Sequence, residues 1–167
     1  MRALHLTAGQ AKAICGLSAP EHALQPVPLA DGTFIISPSV LADTQAVTNM
    51  FRVVDGTATL NSIHILDPDD QGVAFDIIFL DANQSLGTEN AAPSITDANA
   101  QTIIGRIRVG AADFVDIGGS RIATISGIGL TLKAASGTTT GYIGSITRGA
   151  ATYAGGHIYL RLGLTWD

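Results

Sequence analysis

The chain is poor in charge. Asp, Glu, Lys and Arg make up 14% of its 167 residues, a little over half of the ~25% usual in soluble domains. Lysine occurs only as Lys12 and Lys133, and glutamate only as Glu21 and Glu89. Nine cations against fourteen acids argue against a nucleic-acid surface, which needs clustered Lys and Arg to displace counterions. No window approaches the ~18 consecutive apolar residues of a membrane-crossing helix. Cysteine is limited to Cys15, so an intrachain disulfide and a cysteine-based metal site are excluded. A lone thiol fits a reducing compartment. The N-terminal stretch has no unbroken apolar run before Gly9 and Gln10. Export is therefore not expected, and the sequon Asn83-Gln84-Ser85 is given no weight. Aromatic residues are scarce at 5%, which leaves a core of Ile, Leu and Val. With 46% hydrophobic residues and a net charge of −5, the composition is that of a folding chain rather than a disordered one. The length suits one domain, able to bury ~70% of its unfolded surface.

What is present has an order along the chain. Four of the six prolines (Pro20, Pro26, Pro28, Pro38) lie in the first forty residues. Proline fixes φ and removes a backbone donor, so regular central sheet is not expected there. Residues 1–38 read as an irregular N-terminal arm, with a short helix over Thr7–Cys15 capped by Thr7 and stopped at Gly16. Residues 39–167 read as the folded β domain. Its cleanest element is Gly156–Trp166: Ile158, Leu160, Leu162, Leu164 and Trp166 share one face, against His157, Tyr159, Arg161 and Thr165 on the other. Strict alternation of that length is a strand with one face in a core.

Further strands are expected over Val47–Val54, Thr57–Leu66, Val73–Leu80, Ile103–Val109, Asp113–Ile117, Arg121–Lys133 and Gly141–Arg148. In Thr57–Leu66 the apolar parity switches from Leu60 to Ile63 and Ile65, which predicts a bulge near Asn61-Ser62. Gly127 and Gly129 suggest another bulge inside Arg121–Lys133, a run in which Ile122, Ile128, Leu130 and Leu132 group on one face. Turn sequences (Asp55-Gly56, Asp67 to Gly72, Gly118-Gly119, Ala154 to Gly156) separate the runs. One short helix is expected near Asp97–Ala100, capped by Ser94 or Thr96. Strand-sized pieces with one or two short helices at most indicate an all-β chain, an antiparallel β-sandwich or barrel.

The chain carries little recognisable catalytic chemistry. There is no phosphate-binding loop, no G-x-S-x-G elbow and no H-E-x-x-H. His5, His22, His64 and His157 belong to no ligand motif, and Cys15 has no evident activating base. No pair of carboxylates stands out for acid–base work; Asp76 and Asp81 lie in and just after an apolar strand. The sharpest polar group is Asp67-Pro68-Asp69-Asp70-Gln71-Gly72. Acids at positions one and three and a glycine at six imitate a calcium loop, but Gln71 at five is a poor ligand and Ile78 replaces the bidentate glutamate at twelve. Asp67, Asp69 and Asp70 stand as weak metal candidates beside the plainer reading of an acidic connecting turn. No catalytic residue and no cofactor are expected.

A surface of few charges and many Ala, Thr, Ser and Gly is weakly hydrated and low in side-chain entropy, so little opposes its burial against another protein. Residues 65–98, "ILDPDDQGVAFDIIFLDANQSLGTENAAPSITDA", together with "GGSRIATISGIGLTLKAASGTTTGYIGSITRG" and "HIYLRLGLTWD", resemble a block of small virion-associated head proteins of tailed bacteriophages. The likeness spans roughly residues 50–167 and is one of turns and strands. It implies a β-sandwich of jelly-roll type and a capsid cement or decoration role. Such a protein binds the outer face of the capsid lattice, with the major capsid protein and copies of itself as partners and no nucleic acid or membrane. The implied location is the capsid surface, reached after synthesis in the host cytoplasm. The arm at 1–38 departs from the likeness; its two readings are an arm that drapes over its own domain and one that reaches a neighbour. A receptor- or glycan-binding virion module and a head or tail connector component are the alternatives.

Overall fold

A computed structural model describes residues 27–28, 39–153 and 158–166. Nine strands are described: β1 (Val27–Pro28), β2 (Ser39–Val47), β3 (Thr57–Asp67), β4 (Phe75–Leu80), β5 (Ile103–Val109), β6 (Val115–Asp116), β7 (Arg121–Lys133), β8 (Gly141–Thr147) and β9 (Tyr159–Trp166). A one-turn helix α1 (Asp97–Ala100) and a 3-10 turn (Ala111–Asp113) complete the described elements. The strands form two antiparallel sheets, one in the order β1-β9-β3-β7-β6 and the other in the order β2-β8-β4-β5. No described strand joins the two sheets into a closed barrel, so the fold is a sandwich. Apart from the two-residue β6, the strands nest: β1 pairs with β9, β2 with β8, β3 with β9 and β7, β4 with β8 and β5. This is the order of a jelly roll, a double-stranded ribbon rolled into two facing sheets.

Local sequence explains most of the elements. In β9, Leu160, Leu162 and Leu164 are buried while Arg161 and Thr165 are exposed, as the alternation predicts. The parity switch in β3 is a bulge, with the register shifting between Leu60 and Ser62 against both neighbours. The Nδ2 of Asn61, the extra residue relative to β9, donates to Thr165 Oγ1 at 2.8 Å. Across from it, β7 places Gly127, Ile128 and Gly129 between Ser126 and Leu130, and both glycines take positive φ (70° and 65°). Between them Ile128 packs, partly buried, against the core. Three residues of β7 thus oppose one of β3, and the inward parity reverses: Ala123 lies inside before the bulge and Leu132 after it. The single apolar face expected for Arg121–Lys133 is corrected accordingly, since Ile122 stands on the outer face, away from Leu130 and Leu132.

The main core lies between the sheets and includes Leu60, Ile63, Ile65, Phe75, Ile77, Phe79, Ile143 and Leu160. All six residues of β4 are buried, because its second face is covered too. There Ile78, Leu80 and Ile146 pack with Leu86 and Ile95 of the connection to β5. The carboxylate of Asp43 holds that connection down, accepting from Leu86 N at 2.7 Å and from Ser85 Oγ at 2.8 Å. The expected helix is present as α1, with the Thr96 side chain accepting from Asn99 N.

Two expected strands differ. Val47–Val54 is not a strand: β2 ends at Val47, and the chain turns through Asn49 and Asp55, both at positive φ (55° and 56°). Met50 and Phe51 close one end of the core instead, held by Phe51 N to Thr139 O at 3.0 Å and Trp166 Nε1 to Met50 O at 2.8 Å. Asp113–Ile117 shrinks to the two residues of β6 because the 3-10 turn takes up Asp113. The arm at 1–38, the helix at 7–15, Cys15, His5, His22 and His157 lie outside the described residues, except that Val27–Pro28 pairs with Tyr159 and Leu160 at a sheet edge. A proline at an edge costs no ladder bond.

Candidate functional site

Three connections meet at one end of the sandwich: residues 68–74 between β3 and β4, residues 110–120 between β5 and β7, and residues 148–153 after β8. Backbone and ring contacts tie them together. Arg148 N donates to Ala74 O at 2.7 Å, Thr152 N donates to Gln71 Oε1 at 3.4 Å, and the Phe75 and Phe114 rings lie 6.3 Å apart.

The acidic turn sits here, and its carboxylates hold the turn itself. Asp67 is fully buried. Its Oδ1 accepts from Asp69 N at 3.1 Å, and its Oδ2 accepts from Gln71 N at 3.0 Å and Gly72 N at 2.8 Å. Asp70, at φ 56°, accepts from Arg121 Nε at 2.7 Å. Gly72 is required: its φ is +58°, and a Cβ there would come within 2.7 Å of the Arg121 side chain. Burial raises the Asp67 pKa above its ordinary 3.8, outweighing the three amides that favour the anion. Asp67 therefore points inward and Asp70 toward Arg121, and the metal candidates Asp67, Asp69 and Asp70 do not converge. No group of three or more metal-ligating side chains occurs among the described residues. Beside the turn, Tyr153 is buried, and its phenol is pushed up by burial and by the nearby charge of Asp67.

On the outer face of the five-stranded sheet, this end carries an apolar row. Leu66 stands opposite Tyr159 and Ile122, and Ile122 opposite Val115. Val115 is 60% exposed and Ile117 57%. The next row up is polar: His64 stands opposite Arg161 and Thr124. His64, Leu66, Tyr159 and Arg161 line a depression of about 280 Å³. His64 Nδ1 lies 3.1 Å from Thr124 Oγ1.

On the outer face of the other sheet, the same end carries a buried charge. Asp76 lies on β4 between two residues that point into the core, so its side chain faces outward. It is nevertheless fully buried. Its Oδ2 accepts from Arg106 Nη1 at 3.2 Å, from Arg148 Nε at 2.8 Å and from Arg148 Nη2. Sequence reasoning places Asp76 in an apolar strand but does not find its partners. The clue is an acid inside a continuous apolar run, which needs a cation on a neighbouring strand.

The other end of the domain carries an open polar recess. Asp43 and Glu89, 46 residues apart in sequence, meet there, with Asp43 N donating to Glu89 Oε1 at 3.3 Å. Asp43 is occupied there by backbone and hydroxyl donors, so its chemistry is structural. The hydroxyl–carboxylate contact in that recess is Ser85 Oγ donating to Asp43 Oδ2 at 2.8 Å, and the other Asp43 oxygen accepts from Leu86 N and Thr44 N. Comparison with protein-family models and with curated proteins finds no match to the chain.

Proposed function

We propose that this chain is a structural virion protein of a tailed bacteriophage, which binds the outer surface of the capsid lattice and stabilises it without catalysis. The observation that carries the reading is the outward-facing apolar row Leu66, Ile122, Val115 and Ile117 on a sheet face with little charge. A contiguous apolar strip of this kind is the mark of a contact surface, whereas single exposed apolar residues are ordinary. The resemblance of residues 50–167 to phage head proteins supplies the setting. The jelly-roll order agrees with it, as an analogy of fold and not of site. Many weak contacts repeated over a lattice add through avidity, so no single copy needs high affinity.

The test is to locate the chain in virions by cryo-electron microscopy and to heat particles with and without it. Many copies over the outer shell, and earlier release of DNA without them, are the expected results. A ring or cluster at one vertex replaces this reading with a connector or tail role. Absence from the particle overturns it.

The depression at Tyr159 favours a second reading, a glycan- or receptor-binding virion module. A half-buried aromatic ring beside an arginine suits a sugar ring, whose apolar face stacks while its hydroxyls find donors. Glycan-array binding that disappears in Tyr159→Ala supports it, and silence across the array removes it.

A further inference from the structure

The arginine group on the outer face of the four-stranded sheet has more charge than its own fold uses. Asp76 stands opposite Arg108 on β5 and Ile146 on β8. Arg106, Arg108 and Arg148 therefore gather around a single carboxylate. Arg106 and Arg148 share one oxygen of Asp76, and their side chains remain 54% and 37% exposed. The other oxygen, Oδ1, is buried with no hydrogen bond, so no third cation is bonded to it. Arg108 is exposed and has no ion-pair partner among the described residues. The group thus carries three positive charges over one negative, in a chain with nine cations against fourteen acids.

The rest of this sheet face is already covered. The connection between β4 and β5 packs Leu86 and Ile95 on Ile78, Leu80 and Ile146. What stays open is the arginine end, which is also the end that carries the apolar row on the opposite sheet. Asp76 acts there as a positioning residue. It pins two guanidinium forks in place, so little rotamer freedom remains to be lost when they meet a partner. Their remaining N–H groups match carboxylate oxygens in a planar, two-toothed geometry.

We infer that Arg106, Arg108 and Arg148 form a docking site for carboxylate side chains on the surface of the partner shell protein. The inference rests on the shell-binding reading above and gives that contact its charge selectivity. Charge complementarity carries it: a locally cationic, pre-ordered patch on an acidic chain calls for an anionic surface opposite. Arginine is enriched at protein contacts for the same reasons.

The experiment uses the full chain and purified shells of the encoding phage, with occupancy measured against protein concentration at several salt concentrations. Arg108→Glu is the informative variant, because Arg108 compensates no buried charge and its replacement leaves Asp76 covered. Thermal melting of the variant alongside the parent checks that the fold is kept. The expected result is saturable binding that weakens with salt, a loss of about tenfold or more in affinity for Arg108→Glu, and near-parental binding for Arg108→Lys. Failure of the parent chain to bind shells overturns the shell-binding reading itself. Binding by the parent with equal affinity and equal salt dependence for Arg108→Glu overturns the docking site alone. Sedimentation without shells completes the set: salt-sensitive self-association lost in Arg108→Glu identifies a second copy as the occupant and overturns the shell-protein assignment.

Discussion

Asp67→Asn is the substitution that tests the acidic turn most directly. Asparagine keeps the shape of the side chain but has one acceptor oxygen where aspartate has two. Three backbone N–H groups, from Asp69, Gln71 and Gly72, converge on the carboxylate at 2.8 to 3.1 Å. In the best rotamer the amide oxygen serves Gln71 and Gly72, and the amide nitrogen is left facing Asp69 N. In the other rotamer two donors are left facing the amide nitrogen. Each buried donor left unpaired costs ~1–3 kcal/mol. Part of that loss is offset, because the variant no longer buries a charge. The net expectation is a destabilisation of about 2 kcal/mol at neutral pH, a fall of roughly 4–8 °C in Tm for a chain of this size.

Acidification supplies the sharper test. The folded pKa of Asp67 is raised above 3.8 because burial dominates. A raised acid binds its proton more tightly in the folded state. Its stability contribution is full below pH 3.8 and is lost as pH rises through the folded value. Asparagine does not titrate, and the other groups are common to both proteins, so they cancel in the difference. The gap between parent and variant in urea unfolding should therefore widen as pH falls from neutral toward 4. A gap that narrows would mean that the three amides outweigh burial and would refute the reasoning. So would a neutral-pH difference below about 0.5 kcal/mol, the range of an ordinary surface substitution.

Further outcomes follow from the same structure. Leu162→Ala, in the buried row of β9, should cost about 2–5 kcal/mol in urea unfolding, because Leu162 is 3% exposed and a packed core relaxes only partly into a void. An effect below about 1 kcal/mol would place β9 outside the core. Arg148→Ala should cost about 2 kcal/mol, less than the ~3–5 of a fully orphaned buried ion, because Arg106 still covers Asp76; Asp76→Leu combined with it should recover part of the loss, and no recovery would count against a charge-based cost. Calcium at millimolar concentration should leave Tm unchanged, since Asp67 and Asp70 are already engaged by amides and by Arg121. A rise with calcium would show that the turn rearranges to bind it.

How much of the fold is legible in the sequence depends on the kind of contact. Alternation states which way a side chain faces, and it does so wherever a strand is regular. The inward leucines of β9 and the parity switch at Asn61 are both visible as letters two apart. The same reasoning fails for Val47–Val54, where the residue types favour a strand but Met50 and Phe51 close the core end from a turn. Nothing local distinguishes a buried plug from a buried strand face. It also fails for Ile122, because glycines at 127 and 129 announce a bulge without stating how many residues it adds. An even or odd count decides which face Ile122 takes.

The charged group shows the deeper limit. Asp76 and Arg148 are 72 residues apart and Asp76 and Arg106 are 30 apart. Periodicity cannot join them, because it encodes facing and not neighbours. What joins them is the strand order β8-β4-β5, a property of the jelly-roll path. The same path brings the row Leu66, Ile122 and Val115 to that end from three separate strands. A contact surface assembled in this way leaves no motif in the sequence. Its only trace there is negative: polar alternation that is interrupted by an outward-facing Leu66 or Ile122. The arginine group at the same end gathers three of the nine cations of the chain. Reversing charge there, by Arg108→Glu, should therefore change binding far more than stability, the cross-strand repulsion with Asp76 costing no more than about 1 kcal/mol, and Leu162→Ala should do the reverse.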